Sequence, residues 1–397
     1  MNPQLAKLQS YPFEKLRQLF AGLTPPAHLK EIKLSIGEPQ HGTPEFIKTA
    51  LTAALGGLAS YPATSGSDEL RQAIAAWIAR RYGIPAPHAM DQVIPVNGSR
   101  EALFAFAQCI VDGSQPGALV LSPNPFYQIY EGAAYLAGAA PLFLNQVPAN
   151  NFALDFASIA PATWQRIQLV YVCSPGNPTG KVMSSDEWRT LFELSDRYGF
   201  VIAADECYSE IYCDEAAPPL GALQAAQQLG RSDYRNLVVF SSLSKRSNVP
   251  GLRSGFVAGD AAVLKQFWLY RTYHGCAMNP AVQHASAVAW NDEAHVRDNR
   301  RLYQEKFERV TPLVAKHLVT QQPDAGFYLW ARTPISDTEF ARELHRQYNV
   351  TVLPGSYLAR EAGGVNPGAN FIRIALVAGY DECLDAAQRI ADFCNSI

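Results

Sequence analysis

Most of the features that commit a chain to a membrane, a nucleic acid or an oxidising compartment are missing from this sequence. No uninterrupted apolar run is long enough to cross a bilayer. The opening stretch MNPQLAKLQSYPFEK has no apolar segment of the kind a secretory signal needs. No block of like charges reads as a tail. With 33 Lys and Arg against 36 Asp and Glu, the formal net charge is -3, which gives no electrostatic footprint for nucleic acid or an anionic membrane. The seven cysteines are scattered, odd in number and never spaced C-x-x-C, so neither a disulfide framework nor a zinc site is expected, and a reducing compartment fits better. The eight histidines include no HExxH pair. There is no internal repeat and no low-complexity segment. The expectation is a cytoplasmic protein with no metal and with neither nucleic acid nor membrane as partner.

What is present is material for a large core: 397 residues, of which 48% are hydrophobic, enough for one large domain and a smaller companion. The middle of the chain alternates short apolar runs with amphipathic stretches, the pattern of an α/β domain with a mostly parallel sheet flanked by helices. Strands are expected at Gln92–Val96, Ala118–Ser122, Gln168–Cys173, Phe200–Ala204, Leu237–Ser242 and Arg253–Ala258. Between them, NGSR precedes a helix from about Glu101 to Val111, PNPFYQIY opens another, and SPGNPTG is too rich in Pro and Gly to be other than a loop. Ser184 and Glu187 have the spacing of a capping box for a helix ending near Gly199. Thr43-Pro44 reads as an N-cap and first-turn pair for a helix that stops near Gly56. After a long helical stretch from Asn279 past Val314 come a strand (Phe327–Ala331), a helix (Asp337–Tyr348), a strand (Phe371–Leu376) and a closing helix, which suggests a smaller α+β domain. We place an N-terminal arm and part of the small domain in residues 1–47, the large domain in 48–290 and the rest of the small domain in 291–397.

In open α/β sheets, ligands sit at the carboxyl ends of the strands, and polar residues fall there repeatedly. Asn97-Gly98-Ser99 follows one strand, where unpaired N–H groups and the helix dipole suit a phosphate. Taken alone, the tetrapeptide NGSR reads more readily as an ordinary N-cap. Asp205 closes an apolar strand; buried, it needs a partner, either a cationic ring nitrogen, an internal ion pair or a helix cap. Lys245 lies at a strand end in SSLSKRSNVPGLRSGF, the setting of a Schiff-base lysine, or else of a solvated lysine beside Arg246. Arg253, eight residues on between Gly251 and Gly255, suits bidentate recognition of phosphate.

These residues carry a resemblance. SLSKRSNVPGLRSGF is similar to the pyridoxal-phosphate (PLP) lysine motif of the fold type I aminotransferases, S-x-S-K followed by G-x-R-x-G, and the likeness runs in order from SIGEP to FIRIAL. It implies that Lys245 holds PLP as a Schiff base and shuttles the reacting proton, and that Asp205 pairs with the ring nitrogen. Asn177 and Tyr208 would hydrogen-bond the ring oxygen, and Tyr127 would stack on the ring. Gly98, Ser99, Arg100, Ser242, Ser244 and Arg253 would surround the phosphate. Arg373 in ANFIRIAL would grip the substrate α-carboxylate, with Gly37 close by. Tyr61 resembles the tyrosine that reaches the phosphate of a neighbouring subunit, which implies a homodimer with shared active sites. The amino and keto acids are the expected small-molecule partners.

The flanking text YPFEKLRQLFAG, SIGEPQHGTPEFI and RTYHGCAMNP resembles the proteobacterial succinyldiaminopimelate transaminases. That likeness implies N-succinyl-2,6-diaminopimelate and 2-oxoglutarate as substrates, in diaminopimelate and lysine biosynthesis. Both are multiply anionic, so a second donor-rich patch is needed, and Arg271, Tyr273 and His274 are candidates for it. Three other readings share the lysine motif: an aspartate, alanine or aromatic aminotransferase, a PLP-dependent β-lyase acting on a C–S bond, and a PLP-binding regulator. Against the last, no basic excess for DNA binding is present.

Overall fold

Strands form where β-branched and aromatic residues cluster between turn residues. A computed structural model, describing residues 1–397, forms twelve of them in three sheets. Ile32–Lys33 is β1. The large sheet follows as β2 (Val93–Val96), β3 (Leu119–Asn124), β4 (Ala140–Asn145), β5 (Ile167–Cys173), β6 (Val201–Asp205), β7 (Leu237–Ser242) and β8 (Gly255–Gly259). Its order is β2-β8-β7-β6-β5-β3-β4, parallel throughout except that β8 runs antiparallel to both of its neighbours. The smaller domain is built from β9 (Tyr328–Arg332), β10 (Val350–Thr351), β11 (Leu353–Pro354) and β12 (Phe371–Ala375). There β11-β12-β9 form an antiparallel sheet, and β1 pairs in parallel with β10. This is the α/β class with a smaller α+β domain.

The central strands are buried on both faces, and successive side chains point to opposite sides. Along β5, Val170 and Val172 join Trp77, Trp188 and Trp290 on one face, while Leu169 and Tyr171 join Phe106, Tyr130 and Phe267 on the other. No helix is long and apolar enough to cross a membrane.

Three departures from the sequence reading have local causes. The edge strand β4 was not expected; it contains Pro141, tolerated because an edge strand leaves some N–H groups unpaired anyway. The stretch after Asn279 is two helices, Pro280–Asn291 and Ala294–Ala315. At their junction the Asp292 carbonyl and Glu293 Oε1 accept from Arg246 Nη2, at 3.0 and 2.5 Å. Thr43 does not cap the following helix, which starts at Glu45 with Pro44 in the cap position; Thr43 Oγ1 donates instead to the Asn248 carbonyl at 2.9 Å. The capping box does form: the Glu187 N–H donates to Ser184 Oγ, and the Ser184 N–H donates to Glu187 Oε2 at 2.9 Å.

Candidate active site

The carboxyl ends of β2, β3, β5, β6 and β7 meet at one edge of the large sheet. Because β8 alone is reversed, the turn that precedes it, carrying Arg253, opens on that same edge. A cleft of 560 Å³ lies there, lined by the large sheet's loops and by the small domain.

Lys245 sits in the one-turn helix Leu243–Arg246 that follows β7. Its neighbour Arg246 is buried and held by the Ala289 and Asp292 carbonyls, so the turn cannot swing into solvent. The amine points into the cleft, where Nζ donates to the Gly37 carbonyl at 2.5 Å. Burial draws its pKa down from 10.5 to about 8, and the positive charges of Arg373 and Arg253 act in the same direction.

Asp205 ends β6 and is buried. Its Oδ2 accepts from the Tyr130 hydroxyl at 2.7 Å and its Oδ1 from the Cys207 N–H at 3.2 Å; neither partner is a cation. Burial accordingly pushes its carboxyl above the usual range. A protonated heteroaromatic nitrogen would supply the missing opposite charge. Tyr130 is itself held in place by stacking on Tyr171, with centroids 4.5 Å apart.

An anion cup lies across the cleft floor. The helix Ser99–Ile110 begins there with its N–H groups free, and Gly98 precedes it at φ +82°. A Cβ at Gly98 would collide with the Arg253 guanidinium, so glycine is what lets the cation reach the helix end. Arg253 donates only to the Pro250 and Asn97 carbonyls and has no carboxylate partner. Ser99, Ser242 and Ser244 line the same wall. A phosphate dianion would satisfy every one of these groups.

The opposite end is built to take a carboxylate. Arg373 is buried; Nη1 donates to Asn177 Oδ1 at 2.9 Å and Nη2 to the Ser35 carbonyl at 2.6 Å, while Nε has no partner. A buried guanidinium N–H left unpaired is costly unless a ligand completes it. The guanidinium lies over the Tyr328 ring at 4.3 Å, and the Tyr328 hydroxyl meets that of Tyr208 at 2.9 Å. A Cβ on Gly37 would overlap the Tyr328 hydroxyl, which is the structural demand for glycine there. Tyr127 completes the wall, its hydroxyl accepting from Arg100 Nε at 2.6 Å.

The structure thus brings together Gly37, Gly98, Ser99, Arg100, Tyr127, Asn177, Asp205, Tyr208, Ser242, Ser244, Lys245, Arg253 and Arg373. It does not bring Tyr61 or His274 to this chain's cleft. Tyr61 is fully exposed, and His274 sits on the surface with Nδ1 3.1 Å from Cys276 Sγ. Arg271 is a correction: it is not free for a ligand, because its buried guanidinium is paired with both oxygens of Glu101 at 3.0 Å and donates to the Cys276 carbonyl. Sequence reasoning missed Tyr130, Cys207, Tyr328 and Glu38. Cys207 and Tyr328 were within reach, since Cys207 lies between Asp205 and Tyr208 and Tyr328 lies within the expected strand Phe327–Ala331.

The buried carboxylate seeking a cation, the softened amine, the dianion cup and the aromatic wall fit one group with a ring nitrogen, an aldehyde and a phosphate. The comparisons agree. Residues 30–390 match the family described as aminotransferase class I and II. The chain is 31% identical over 368 residues to the LL-diaminopimelate aminotransferase of Nitratidesulfovibrio vulgaris (strain DSM 19637 / Miyazaki F), covering 91% of each. Among solved structures, an aminotransferase from Neisseria meningitidis Z2491 is 52% identical with a TM-score of 0.96, covering 99% of this chain and 100% of that one. The aminotransferase AspB from Helicobacter pylori 26695 is 34% identical with a TM-score of 0.89, covering 98% and 100%.

Proposed function

This chain belongs to the class I and II aminotransferases, which work with pyridoxal phosphate, and we propose that it transfers the amino group of N-succinyl-L,L-2,6-diaminopimelate to 2-oxoglutarate, a step of diaminopimelate and lysine biosynthesis. One observation carries the choice of a multiply anionic donor. Once Arg253 is given to the phosphate and Arg373 to the α-carboxylate, the cleft wall still holds Arg100, which the sequence grouped with the phosphate but whose Nε is turned to the Tyr127 hydroxyl; it is exposed and without a carboxylate partner. A distal carboxylate would complete it. The flanking sequence supports the succinylated form.

In this reading the cofactor supplies the electron sink for the Cα carbanion. Lys245 would hold it covalently, and once free its amine, with a pKa of about 8, would suit both taking and returning the proton at the donor's Cα. Asp205 keeps a proton on the ring nitrogen. Arg373 donates to Asn177 Oδ1, so the Asn177 amide keeps its N–H₂ free and would offer it to the ring oxygen. Tyr208 donates to the same oxygen when Tyr328 donates to Tyr208. The enzyme acts as a homodimer whose partner brings Tyr61 and His274 to the site. Leu58, Tyr61, Leu269 and Tyr273 are all exposed, and Thr64 bonds both Trp268 Nε1 and Thr272 Oγ1, making a single apolar face for a second copy.

A second reading has its own support. Unsuccinylated LL-diaminopimelate ends in an ammonium as well as a carboxylate, Glu38 lines the cleft, and the curated relative is named for that donor. The test is glutamate formation from 2-oxoglutarate with the succinylated donor, LL-diaminopimelate, aspartate and alanine in parallel. The succinylated donor should show a kcat/KM at least about tenfold above aspartate and alanine, and Arg100→Ala should remove most of that margin. A higher value for LL-diaminopimelate establishes the second reading. Parity with alanine removes both, and pyruvate plus ammonia from a cysteine conjugate without 2-oxoglutarate marks a lyase.

A further inference from the structure

A buried polar chain outside the cleft has no part in the chemistry described so far. Lys306, on the Ala294–Ala315 helix, is almost wholly buried, yet neither of its partners is a carboxylate: Nζ lies 3.0 Å from the Leu376 carbonyl and 2.7 Å from His41 Nε2. His41 Nδ1 in turn lies 2.7 Å from Asn299 Oδ1. The Asn299 amide is oriented by its other end, where Nδ2 donates to the Lys245 carbonyl at 3.3 Å. An amide oxygen only accepts, so the His41 proton is on Nδ1, and Nε2 is left as the acceptor for the Lys306 ammonium. Burial, and then the charge of Lys306, hold His41 below its ordinary pKa, which keeps this polarity at neutral pH. The Tyr303 ring, 4.5 Å from the imidazole, closes the remaining side.

The ends of the chain give it meaning. Leu376 directly follows β12, which carries Arg373. His41 closes the loop that begins at Gly37, whose carbonyl receives the Lys245 amine. The hydrogen bonds therefore run from the carboxylate-binding strand, through the loop over the cleft, to the backbone of the reacting lysine.

We infer that His41, Asn299 and Lys306 are positioning residues for transamination, setting the spacing between the carboxylate grip at Arg373 and Gly37 and the amine of Lys245. The inference rests on the transaminase assignment and not on the identity of the donor. Without the imidazole, buried Lys306 keeps only the Leu376 carbonyl and Asn299 Oδ1 only the Asn248 amide, so the grip is held less firmly and should bind a carboxylate more weakly.

The test uses the loaded enzyme, whichever donor the parent turns over best, and glutarate, a dicarboxylate without an amino group. His41→Phe fills the space but breaks both links. It should raise KM and the glutarate Kd by roughly tenfold while kcat stays within about threefold. Asn299→Leu also releases the Lys245 carbonyl and should lower kcat as well. His41→Gln keeps an oxygen for Lys306 and an N–H for Asn299, and should restore KM and Kd. If His41→Phe does not fold, Lys306→Met carries the same expectation for both constants. Unchanged KM and Kd in the folded His41→Phe or Lys306→Met protein overturns the inference, as does a folded His41→Gln protein no better than His41→Phe.

Discussion

The amine of Lys245 offers the most direct quantitative test of the site. Its pKa of about 8 comes first from burial and then from the two arginines that flank the cleft. At pH 7 about one molecule in ten then carries the free amine, against about one in 2,500 for an ordinary lysine of pKa near 10.4. Only the free amine attacks an aldehyde, so enzyme stripped of its cofactor should take up pyridoxal phosphate at pH 7 about 200-fold faster than an ordinary exposed lysine reacts. The perturbation is pH. Uptake is followed by the visible absorbance of the bound cofactor from pH 6 to 10, and the rate should rise tenfold per unit at first and level off with a midpoint near 8. Arg373→Gln removes one of the two cations and should move the midpoint upward. A midpoint at or above about 10 in the parent would refute the claim that this lysine is softened by its surroundings. The same shift predicts a stability change in the stripped protein. Between pH 8 and 10 the native amine holds fewer protons than the unfolded one, so stability rises with pH across that window.

Two further outcomes follow from contacts in the cleft. Asp205→Asn leaves the Tyr130 and Cys207 bonds possible but removes the buried charge that holds the ring proton; kcat should fall by roughly 10²–10³ with the cofactor retained, read by stopped-flow absorbance. Gly37→Ala would drive a methyl into the Tyr328 hydroxyl, so KM for both substrates should rise by about tenfold or more in a protein that still melts cooperatively; a parental KM would show that the loop has room to spare.

Much of this arrangement was legible before any coordinates, because the chemistry sits where apolar strands end. Asp205, Ser242 and Lys245 each interrupt a run of residues that otherwise packs, and a polar residue in that place needs a reason. Other parts were not readable, for physical causes. The reversal of β8 depends on pairing with β2 and β7, which lie far apart in sequence and leave no local mark on GFVAG. The break at Asp292 and Glu293 is decided by Arg246, some 46 residues earlier. Arg271 looked like a free cation because its partner, Glu101, is 170 residues away. Tyr130 hid in a helix whose aromatic residues look like ordinary core.

The reversed strand also has a mechanical result. Lys245 and Arg253 belong to one short connection between β7 and β8, anchored at both ends in the middle of the large sheet. The proposed points of attachment for the cofactor's aldehyde and its phosphate therefore travel as one piece. The carboxylate grip belongs to the smaller lobe, and Arg373 meets Asn177 of the large one through a side-chain hydrogen bond of 2.9 Å. The spacing of those two attachment points is thus set chiefly by the sheet, whereas the place of a substrate carboxylate depends on both lobes.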